Sequence, residues 1–492
     1  MGVCGVTKLI IAVFDGLQPA QVSPELAPNI YGVAERGVFF ENHHPVFPSV
    51  TRINAASMVT GVTPGLHGLA GNSFVARDYD PTRVISALNT EMASIAKTGL
   101  RVLNATTLQE ILNPYDMNYV ALGVGTSGNA YAHNPLAETH GGATIHPEFT
   151  IPSTIQDHIE NTFGEWPAET LPNLPRYEHA MNIFLDYVLG DISPEIALIW
   201  SSEPDKSQHM YGVGAEESNH ALRESDEQFG RLVQFIKSHS LEDEINLMIV
   251  SDHGYSTIID SVDLENELKG AGFTVGSGTG EVLVAPNGGC VLLYVGDSDL
   301  DVSEKISEWI MSQPWCGTVL TSDRLGKIEG TLPLSLIGCD GPRSPDITVS
   351  FKWTSDSNEN GFPGYVFSTG GVGGQGQHGS MSRYEMNNTL ICSGPAFRTG
   401  ERFLSPSGNI DVMPTALDLL GLPVPASVSG RILKEAFRRY NEPVIANGET
   451  HVASRALEVD GKETTYTQKI AISKVGSSVY LDEGNGCRDS DL

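Results

Sequence analysis

Residues 8–16 read KLIIAVFDG, a continuous run of apolar side chains that ends in an aspartate and a glycine. Such an uninterrupted run is typical of a strand that is buried on both faces of a parallel sheet. Residues 195–201 (EIALIWS) and 245–251 (INLMIVS) have the same form, and a further strand is predicted over 118–124. Helical patterns lie between these strands, as over 216–239. The chain is therefore predicted to be an α/β protein whose βα units build a largely parallel sheet.

The later part of the chain departs from this alternation of strands and helices. Residues 262–350 combine one helix with several short strands, which predicts an inserted cap rather than an independent domain. The last pattern, TQKIAISKVGSSVYL, alternates apolar and polar residues and predicts a peripheral strand pair. We therefore expect a main domain over residues 1–440, with the cap inserted at about 262–350, and a peripheral strand extension over 441–492.

The composition argues against several classes of partner. A formal net charge of −30 over 492 residues argues against binding to nucleic acid polymers or anionic membranes, which require clustered Lys and Arg. No apolar stretch reaches about 18 residues, so no transmembrane helix is predicted. The six cysteines are irregularly spaced and form no C-x-x-C pair, which argues against a disulfide scaffold. The N-terminal residues lack a signal-peptide pattern, and we expect a cytoplasmic protein.

Acidic side chains follow three of the predicted strands. Asp15 ends the first apolar run, Asp252 follows INLMIVS directly, and Asp205 comes four residues after EIALIWS. In open parallel α/β sheets, ligands bind at the carboxyl ends of the strands. Three distant segments of the chain are therefore predicted to deliver acids to one edge of the sheet.

Histidines accompany these acids. His253 follows Asp252 directly, His209 lies four residues after Asp205, and His378 lies in the Gly-rich stretch GGQGQHGSMS. Each element alone has an ordinary interpretation as a turn, a helix cap or a solvated loop residue, and only their joint occurrence is specific. Three Asp and three His are enough to build two adjacent metal sites. Two metal ions about 4 Å apart form a clamp for in-line displacement at phosphorus.

The stretch FPSVTRINAASMVTG places the hydroxyl of Thr51 at the start of a predicted helix over residues 51–60, which ends at Gly61. Thr51 is expected to be the N-cap of this helix, where the amide dipoles favour an anion. Coordination to a metal would favour the alkoxide and make Thr51 a competent nucleophile. Together these residues predict a metal-dependent hydrolase of phosphate esters.

From about residue 8 to residue 425 the chain resembles members of the alkaline phosphatase superfamily. Within that superfamily it resembles the type I phosphodiesterase/nucleotide pyrophosphatase family. Besides Asp15, the matching stretches are PSVTRINAASMVTG, GLHGLAGN, EPDKSQHMYG, SDHG, QHGSMSRYEMNNTLICSGPAF and DVMPTALDLLGLP. The resemblance implies a three-layer α/β/α sandwich with a mostly parallel central sheet. It also implies phosphodiesterase or nucleotide pyrophosphatase activity through a phospho-threonine intermediate.

The same resemblance implies a role for each site residue. One metal ion would be held by one aspartate and two histidines, namely Asp205, His209 and His378. A second would be held by four residues, namely Asp15, Asp252, His253 and Thr51. Thr51 would attack phosphorus, and Asn72 would donate a hydrogen bond to a phosphoryl oxygen of the substrate. Two divalent ions per chain are expected, with zinc usual in the family and manganese also compatible with these ligands.

Several alternatives stay open at this point. Thr at the nucleophile position together with GLHGLAGN is also the pattern of phosphonoacetate hydrolases, so a phosphonate hydrolase is the nearest rival. A phosphomonoesterase and a non-catalytic homologue that binds a phosphorylated ligand are further alternatives. The stretch CDGPR at 339–343 has its Pro one position late for the motif of sulfatases. Arg52 could bind a phosphate oxygen or the leaving group, or form a structural ion pair.

Two further features lie near the predicted site. Residues 125–149 are predicted to be a long loop that shapes substrate specificity, or else a plain surface loop; they carry three histidines, His133, His140 and His146. Trp200 and Tyr211 flank EPDKSQH and are expected to contribute to packing rather than to stacking on a ligand.

Overall fold

The computed structural model describes residues 8–489. Cys4 and the first seven residues of the stretch on which the signal-peptide prediction rests lie outside this range. Within residues 8–489, no helix combines the length and the apolar character needed to cross a membrane.

The first apolar run forms the strand Leu9–Phe14 near the middle of a ten-stranded sheet. It pairs in parallel with Ile196–Ser201 on one side and with Asn246–Val250 on the other. Every residue of these three strands is buried, because packed layers cover both faces of the sheet. The predicted buried strands are therefore confirmed.

The ten strands form a mostly parallel sheet, as predicted. Two of them, Asn388–Ser393 and Phe149–Ile151, run antiparallel to their neighbours. Ser407–Gly408 pairs with one strand away from the main order. The remaining order across the sheet is Glu401–Phe403, Val38–His44, Asn388–Ser393, Asn246–Val250, Leu9–Phe14, Ile196–Ser201, Tyr119–Gly123, Ala143–His146 and Phe149–Ile151.

Alternate side chains of Leu9–Phe14 enter two separate apolar cores, one on each face of the sheet. The odd-numbered residues share a core with the helices Thr51–Thr60 and Val412–Leu419. The even-numbered residues share the other core with Pro28–Arg36 and Glu216–Ser238. Successive side chains of a strand point to opposite faces, so a strand buried along its whole length requires a helical layer on each side. The three-layer α/β/α sandwich is thus confirmed.

The helices are mostly short. The longest, Glu216–Ser238, has 23 residues and matches the predicted range within one residue. Leu174–Ile183 continues into a π-helical segment, Phe184–Ile192. The other α-helices are Pro28–Arg36, Thr51–Thr60, Pro64–His67, Asn89–Lys97, Leu108–Leu112, Ser127–His133, Ala137–His140, Gln156–Phe163, Asp205–Tyr211, Leu264–Gly270, Leu300–Met311 and Val412–Leu419.

Smaller sheets lie beside the central one. A five-stranded sheet contains Val282–Asn287, Cys290–Val295, Ile347–Phe351, Cys316–Thr321 and Leu332–Pro333. A four-stranded sheet contains Trp353–Ser357, Pro363–Ser368, Ser256–Ser261 and Gly376–Gln377, and Ser73–Phe74 pairs with Ile85–Ser86. The description of residues 262–350 as an inserted cap, and the domain boundary at residue 440, stay predictions.

The end of the chain forms three strands, where the sequence pattern predicted a pair: Ala446–Val459, Lys462–Val475 and Ser478–Arg488. The first strand is largely exposed, so it lacks the apolar alternation that would have identified it. The sheet is anchored to the rest of the protein by buried polar contacts. Tyr480 donates a hydrogen bond to Asp411 at 2.9 Å, and the Gln468 amide donates to Val319 at 2.9 Å.

Residues 125–149, predicted to be a long loop, are instead largely regular structure. Gly128, a residue type typical of turns, lies inside a helix because another segment of the chain passes close to its backbone. A Cβ on Gly128 would come within 1.8 Å of the carbonyl oxygen of Ala87. The close approach of two segments therefore requires a residue that a local pattern assigns to a loop. The elements in this stretch are Ser127–His133, Ala137–His140, Ala143–His146 and the start of Phe149–Ile151.

The CDGPR stretch, which lacks the sulfatase spacing, contributes a buried structural arginine. Arg343 is 1% exposed and donates to both carboxylate oxygens of Asp78, at 2.7 and 2.8 Å. It also donates to the backbone carbonyls of Arg101 and Val102, each at 2.9 Å. One guanidinium thus joins three segments that are distant in sequence.

Replacing Arg343 with Met should lower the free energy of unfolding by about 2 kcal/mol, because two backbone carbonyls lose their buried donor. The lost ion pair adds little, since the Asp78 carboxylate is 38% exposed. Urea unfolding followed by circular dichroism measures this change. Arg83→Met is the matched control, since Arg83 is 43% exposed in its ion pairs with Asp80 and Glu91 and should cost less than about 1 kcal/mol. Equal losses in the two variants would contradict the structural role of Arg343.

Candidate functional site

Three acids meet at the carboxyl ends of the central strands. Asp15 follows Leu9–Phe14 directly, and Asp252 lies two residues past the neighbouring strand Asn246–Val250. Asp205 is the first residue of a short helix that follows the third parallel strand. Its amide donates to the carbonyl oxygen of Asp15 at 3.1 Å, so the backbone itself holds two of the acids side by side.

Asp15, Asp252 and Thr51 surround the Nε2 atom of the His253 imidazole. The Nε2 atom of His253 lies 3.1 Å from Asp252 Oδ2, 3.5 Å from Asp15 Oδ1 and 3.3 Å from Thr51 Oγ1. All four side chains are buried. The geometry therefore brings together the four residues that the sequence grouped around one metal ion.

Asp205, His209 and His378 form a second group beside the first. Asp205 Oδ1 lies 3.4 Å from His209 Nε2 and 3.5 Å from His378 Nε2. The two Nε2 atoms are themselves 3.1 Å apart. The ring of His253 stacks on that of His378 at 3.6 Å between centroids, so His253 adjoins both groups.

Backbone carbonyls fix the tautomer of all three histidines. Nδ1 of His209 contacts the carbonyl of Gly376 at 3.1 Å, and Nδ1 of His253 contacts that of Gly254 at 3.0 Å. Nδ1 of His378 contacts the carbonyl of Ser49 at 2.7 Å. A carbonyl oxygen only accepts, so Nδ1 carries the proton and Nε2 presents a lone pair to the site. Histidines that ligate metals are typically held in this way.

The converging groups repel one another unless a cation lies between them. Two Nε2 lone pairs face each other in the second group, and in the first group the buried oxygens Asp15 Oδ1 and Asp252 Oδ2 accept no hydrogen bond. Buried charges are normally paired or bound to metals. The donor set of three carboxylates and three neutral imidazoles therefore fits divalent cations.

Burial and the neighbouring ligand groups also shift the pKa values of Asp15, His378 and His253. Burial and the neighbouring carboxylates of Asp252 and Asp205 raise the pKa of Asp15 well above its usual value. Burial, together with the adjacent imidazoles, moves the pKa of His378 well below its usual value. Burial by itself would lower the pKa of His253, but the carboxylates of Asp252 and Asp205 and the Gly254 carbonyl together outweigh burial and raise the pKa above its usual value.

Thr51 does not cap its helix, contrary to the sequence prediction. It is the first residue of Thr51–Thr60, and Val50, whose side chain cannot accept a hydrogen bond, occupies the N-cap. The Thr51 hydroxyl is therefore directed to His253 instead of the backbone. The other end agrees with the prediction: Gly61 has a φ of +65° and terminates the helix.

Asn72 and Arg52 lie beside the nucleophile position. The amide of Arg52 donates to Asn72 Oδ1 at 3.2 Å, which leaves the Asn72 Nδ2 group as a donor. The Arg52 guanidinium donates to the Asn72 carbonyl at 3.0 Å, to Ser86 Oγ at 3.1 Å and to Thr126 Oγ1 at 3.4 Å. Its described partners are all neutral, and burial lowers its pKa to about 10. Within residues 8–489 Arg52 has no carboxylate partner, so the interpretation of Arg52 as half of a structural ion pair is not supported.

Sequence reasoning missed several residues that hold the ligands in place. The Tyr255 hydroxyl donates to Asp205 Oδ1 at 2.6 Å, and Asn409 Nδ2 donates to the carbonyl of Asp252 at 2.7 Å. Glu385 accepts from Ser49 Oγ at 3.2 Å and so ties the nucleophile segment to the loop of His378. Tyr255 lies two residues after His253, and this spacing was the one available signal. Asn409 is distant in sequence from Asp252, and Glu385, although it lies near His378, is distant from Ser49.

The three histidines of residues 125–149 stay outside the two metal-ligand groups. His133 is buried, bonded to the Tyr119 hydroxyl at 3.0 Å and packed against the ring of Trp200. His146 contacts the carbonyl of Gly125 at 3.0 Å. Tyr211 is 40% exposed at the end of the helix that carries Asp205 and His209. Control of specificity by this segment stays a prediction.

The comparison with known proteins identifies the family. Residues 9–380 match the type I phosphodiesterase/nucleotide pyrophosphatase family, and the chain belongs to it. This range contains every candidate ligand, from Asp15 to His378. The family assignment predicted from the motifs is confirmed.

Individual relatives are distant in sequence. A Schizosaccharomyces pombe protein described as an uncharacterized pyrophosphatase/phosphodiesterase is 24% identical over 52% of this chain and 46% of its own length. Mouse ectonucleotide pyrophosphatase/phosphodiesterase family member 7 is 25% identical over 51% and 50%. The chain thus spans about half the length of these curated relatives. The bovine bis(5'-adenosyl)-triphosphatase ENPP4 is 22% identical over 84% and 78%.

A solved structure shares the fold. Murine ectonucleotide pyrophosphatase/phosphodiesterase 5, in an inactive form in complex with AMP, superposes with a TM-score of 0.59 at 16% identity. The match covers 86% of this chain and 97% of that one. The alkaline phosphatase-like architecture therefore extends over most of the chain.

Removing bound metal should destabilise the protein, because the buried carboxylates and lone pairs would then face one another without a cation. Each ion present at 100 times its Kd adds about 2.7 kcal/mol to the free energy of unfolding. Thermal unfolding before and after exhaustive chelation measures the loss, and zinc or manganese should restore the original Tm.

The control for this experiment is a pair of histidine variants. His378→Ala should lose most of the metal-dependent rise in Tm, whereas His239→Ala, at an exposed position on the surface, should retain it. A Tm that does not respond to chelation in the wild-type protein would argue against the metal centre.

Proposed function

We propose that this protein is a two-metal phosphodiesterase/nucleotide pyrophosphatase that acts through a phospho-threonine intermediate. The observation that carries the proposal is the convergence of three aspartates, three imidazole Nε2 atoms and the Thr51 hydroxyl at one sheet edge. Each of these groups suits metal binding or nucleophilic attack, and no other buried cluster of the described residues combines both.

The ligand groups suggest how two divalent ions would be bound. One ion would take Asp205, His209 and His378, and the second would take Asp15, Asp252, His253 and Thr51. When bound, such ions supply Lewis-acid stabilisation of phosphoryl oxygens and favour the alkoxide of the nucleophile. Mixed carboxylate and imidazole ligands suit zinc, and manganese is compatible with them.

The protein's own groups would act in two displacements. Thr51 Oγ1 attacks phosphorus, the bond from phosphorus to the leaving-group oxygen breaks, and that oxygen departs with the electron pair. Water then attacks phospho-Thr51 and releases the phosphoryl product with the free hydroxyl. Asn72 Nδ2 is available to donate to a phosphoryl oxygen, because Oδ1 of the same amide accepts from the Arg52 backbone.

Arg52 is proposed as a substrate-binding residue. Its guanidinium lies next to the nucleophile with neutral partners in residues 8–489, and a partly buried cation favours an anionic partner. The leaving group or a phosphate oxygen of the substrate would supply that charge.

The relatives favour a nucleotide-like substrate. Murine ENPP5 was crystallised with AMP in an inactive form that carries a threonine-to-alanine substitution, and bovine ENPP4 is named a bis(5'-adenosyl)-triphosphatase. We propose that the substrate of this chain is likewise a small-molecule phosphate diester or pyrophosphate. A phosphonate hydrolase is the second candidate, on the strength of GLHGLAGN, and a phosphomonoesterase the third. A cytoplasmic location stays a prediction.

Thr51→Ala should lower kcat by several orders of magnitude, because the nucleophilic oxygen is removed. Thr51→Ser should keep partial turnover, since the hydroxyl survives. Thr60→Ala is the matched control at the other end of the same helix, where the hydroxyl only donates to the Ala56 carbonyl at 2.7 Å. If Thr51→Ala keeps more than a tenth of the wild-type rate, the activation barrier has risen by less than about 1.4 kcal/mol. That result would exclude Thr51 as the nucleophile.

A phosphate diester should be cleaved faster than the monoester with the same leaving group. The monoester carries up to one more negative charge at phosphorus, and the neutral Asn72 amide cannot balance it. The measurement is kcat/KM for p-nitrophenyl phosphate and for its methyl diester. Preference for the monoester would move the assignment to the phosphatases and implicate Arg52. Inertness to both, with turnover of phosphonoacetate, would favour the phosphonate hydrolase.

A further inference from the structure

The indole of Trp200 touches the candidate metal site. Trp200 is fully buried in the strand Ile196–Ser201, and its Nε1–H donates to Asp15 Oδ2 at 3.0 Å. The strand register explains this contact, because Trp200 pairs with Val13 and Asp15 lies two residues further along. Trp200 was expected to contribute only to packing, and the hydrogen bond to a ligand carboxylate is an additional role.

This hydrogen bond gives the two carboxylate oxygens of Asp15 different surroundings. Oδ2 is occupied by the indole, whereas Oδ1 has no hydrogen-bond donor although it is buried. Oδ1 lies 3.5 Å from His253 Nε2 and therefore faces the converging ligands. Asp252 shows the same division, since its Oδ1 accepts from the Gly16 amide at 3.0 Å and its Oδ2 is buried without a donor.

We propose that Trp200 is a positioning residue, which fixes the Asp15 carboxylate so that a single oxygen, Oδ1, is presented to a divalent cation. The inference rests on the proposed metal centre and adds a residue that the ligand motifs do not contain. An indole N–H donates a hydrogen bond and offers no lone pair, so it holds Oδ2 without competing for the metal. Without it, Oδ2 would be a buried acceptor without a partner, free to rotate towards the cation or to bind a proton.

The surroundings of Trp200 hold the indole in place. A Cβ on Gly123 would lie 3.3 Å from the Cβ of Trp200, and one on Gly125 would lie 3.6 Å from Nε1. Gly123, the last residue of the neighbouring strand, thus leaves room beside the Trp200 Cβ, and Gly125 lies at ordinary contact distance from the indole. The ring of His133 also packs on the indole at 5.2 Å between centroids, and the Tyr119 hydroxyl bonds the Nδ1 of that histidine. The donor is therefore held by buried neighbours.

The test removes the N–H and measures metal affinity directly. Trp200→Phe keeps an aromatic ring and loses the donor, and loss of such an outer contact typically weakens metal binding by about 10- to 100-fold. Zinc affinity is measured by competition with a chromogenic chelator, without reference to turnover. Trp353→Phe is the matched control, because the Trp353 indole also donates a buried hydrogen bond, to the Gly484 carbonyl at 2.8 Å, away from the site.

A second variant covers the case in which Trp200→Phe does not fold. Incorporation of 3-benzothienylalanine at position 200 preserves the shape of the side chain and replaces only the N–H by sulfur. The same loss of zinc affinity is expected, with a Tm close to that of the wild type in excess zinc.

The outcomes separate this inference from the proposed function. If both position-200 variants bind zinc within about twofold of the wild type, or if Trp353→Phe loses as much affinity, the positioning role is wrong while the metal centre stands. If the wild-type protein itself binds no zinc or manganese and cleaves no diester, the proposed function is wrong, and the positioning role of Trp200 is wrong with it.

Discussion

Two buried carboxylates, Asp15 and Asp252, a partly buried one, Asp205, and three imidazole Nε2 atoms converge at the carboxyl ends of the central strands, and the site depends on offsetting their mutual repulsion. Burial and the two neighbouring acids raise the pKa of Asp15. Such a cluster needs both a rigid frame and a compensating charge. The frame is the fully buried set of parallel strands, which fixes the acids on one edge before any ligand binds.

The backbone provides much of the finer positioning. Each of the three histidines has its Nδ1 on a carbonyl oxygen, and one of these carbonyls belongs to Ser49, two residues before the nucleophile. The Ser49 hydroxyl in turn contacts Glu385, which also accepts from the amide of Ser380 at 2.6 Å. The loop of His378 and the segment of Thr51 are therefore fixed by one hydrogen-bond network. A change in this network would move a ligand and the nucleophile together.

Family membership is consistent with low overall identity because the site depends on few residues. These relatives are 22–25% identical to this chain over the aligned residues, yet the shared fold extends over most of the chain. Strand cores accept many apolar combinations, whereas only a few polar side chains, such as Asp, Glu, His and Cys, can serve as metal ligands at a strand end. A role in substrate specificity for Arg52, with its neutral partners, and for the helix Ser127–His133 stays a proposal.

The sequence by itself determined the parallel strands, the three acids that follow them, the accompanying histidines and the candidate nucleophile Thr51. A strand buried on both faces requires an uninterrupted apolar run, and metal chemistry requires particular side chains. Only the tertiary structure decided that Val50 rather than Thr51 caps the helix, that residues 125–149 form helices and strands, that three strands end the chain, and that Trp200 holds Asp15. Each of these depends on contacts between segments far apart in the chain. Local patterns of polarity do not encode such contacts.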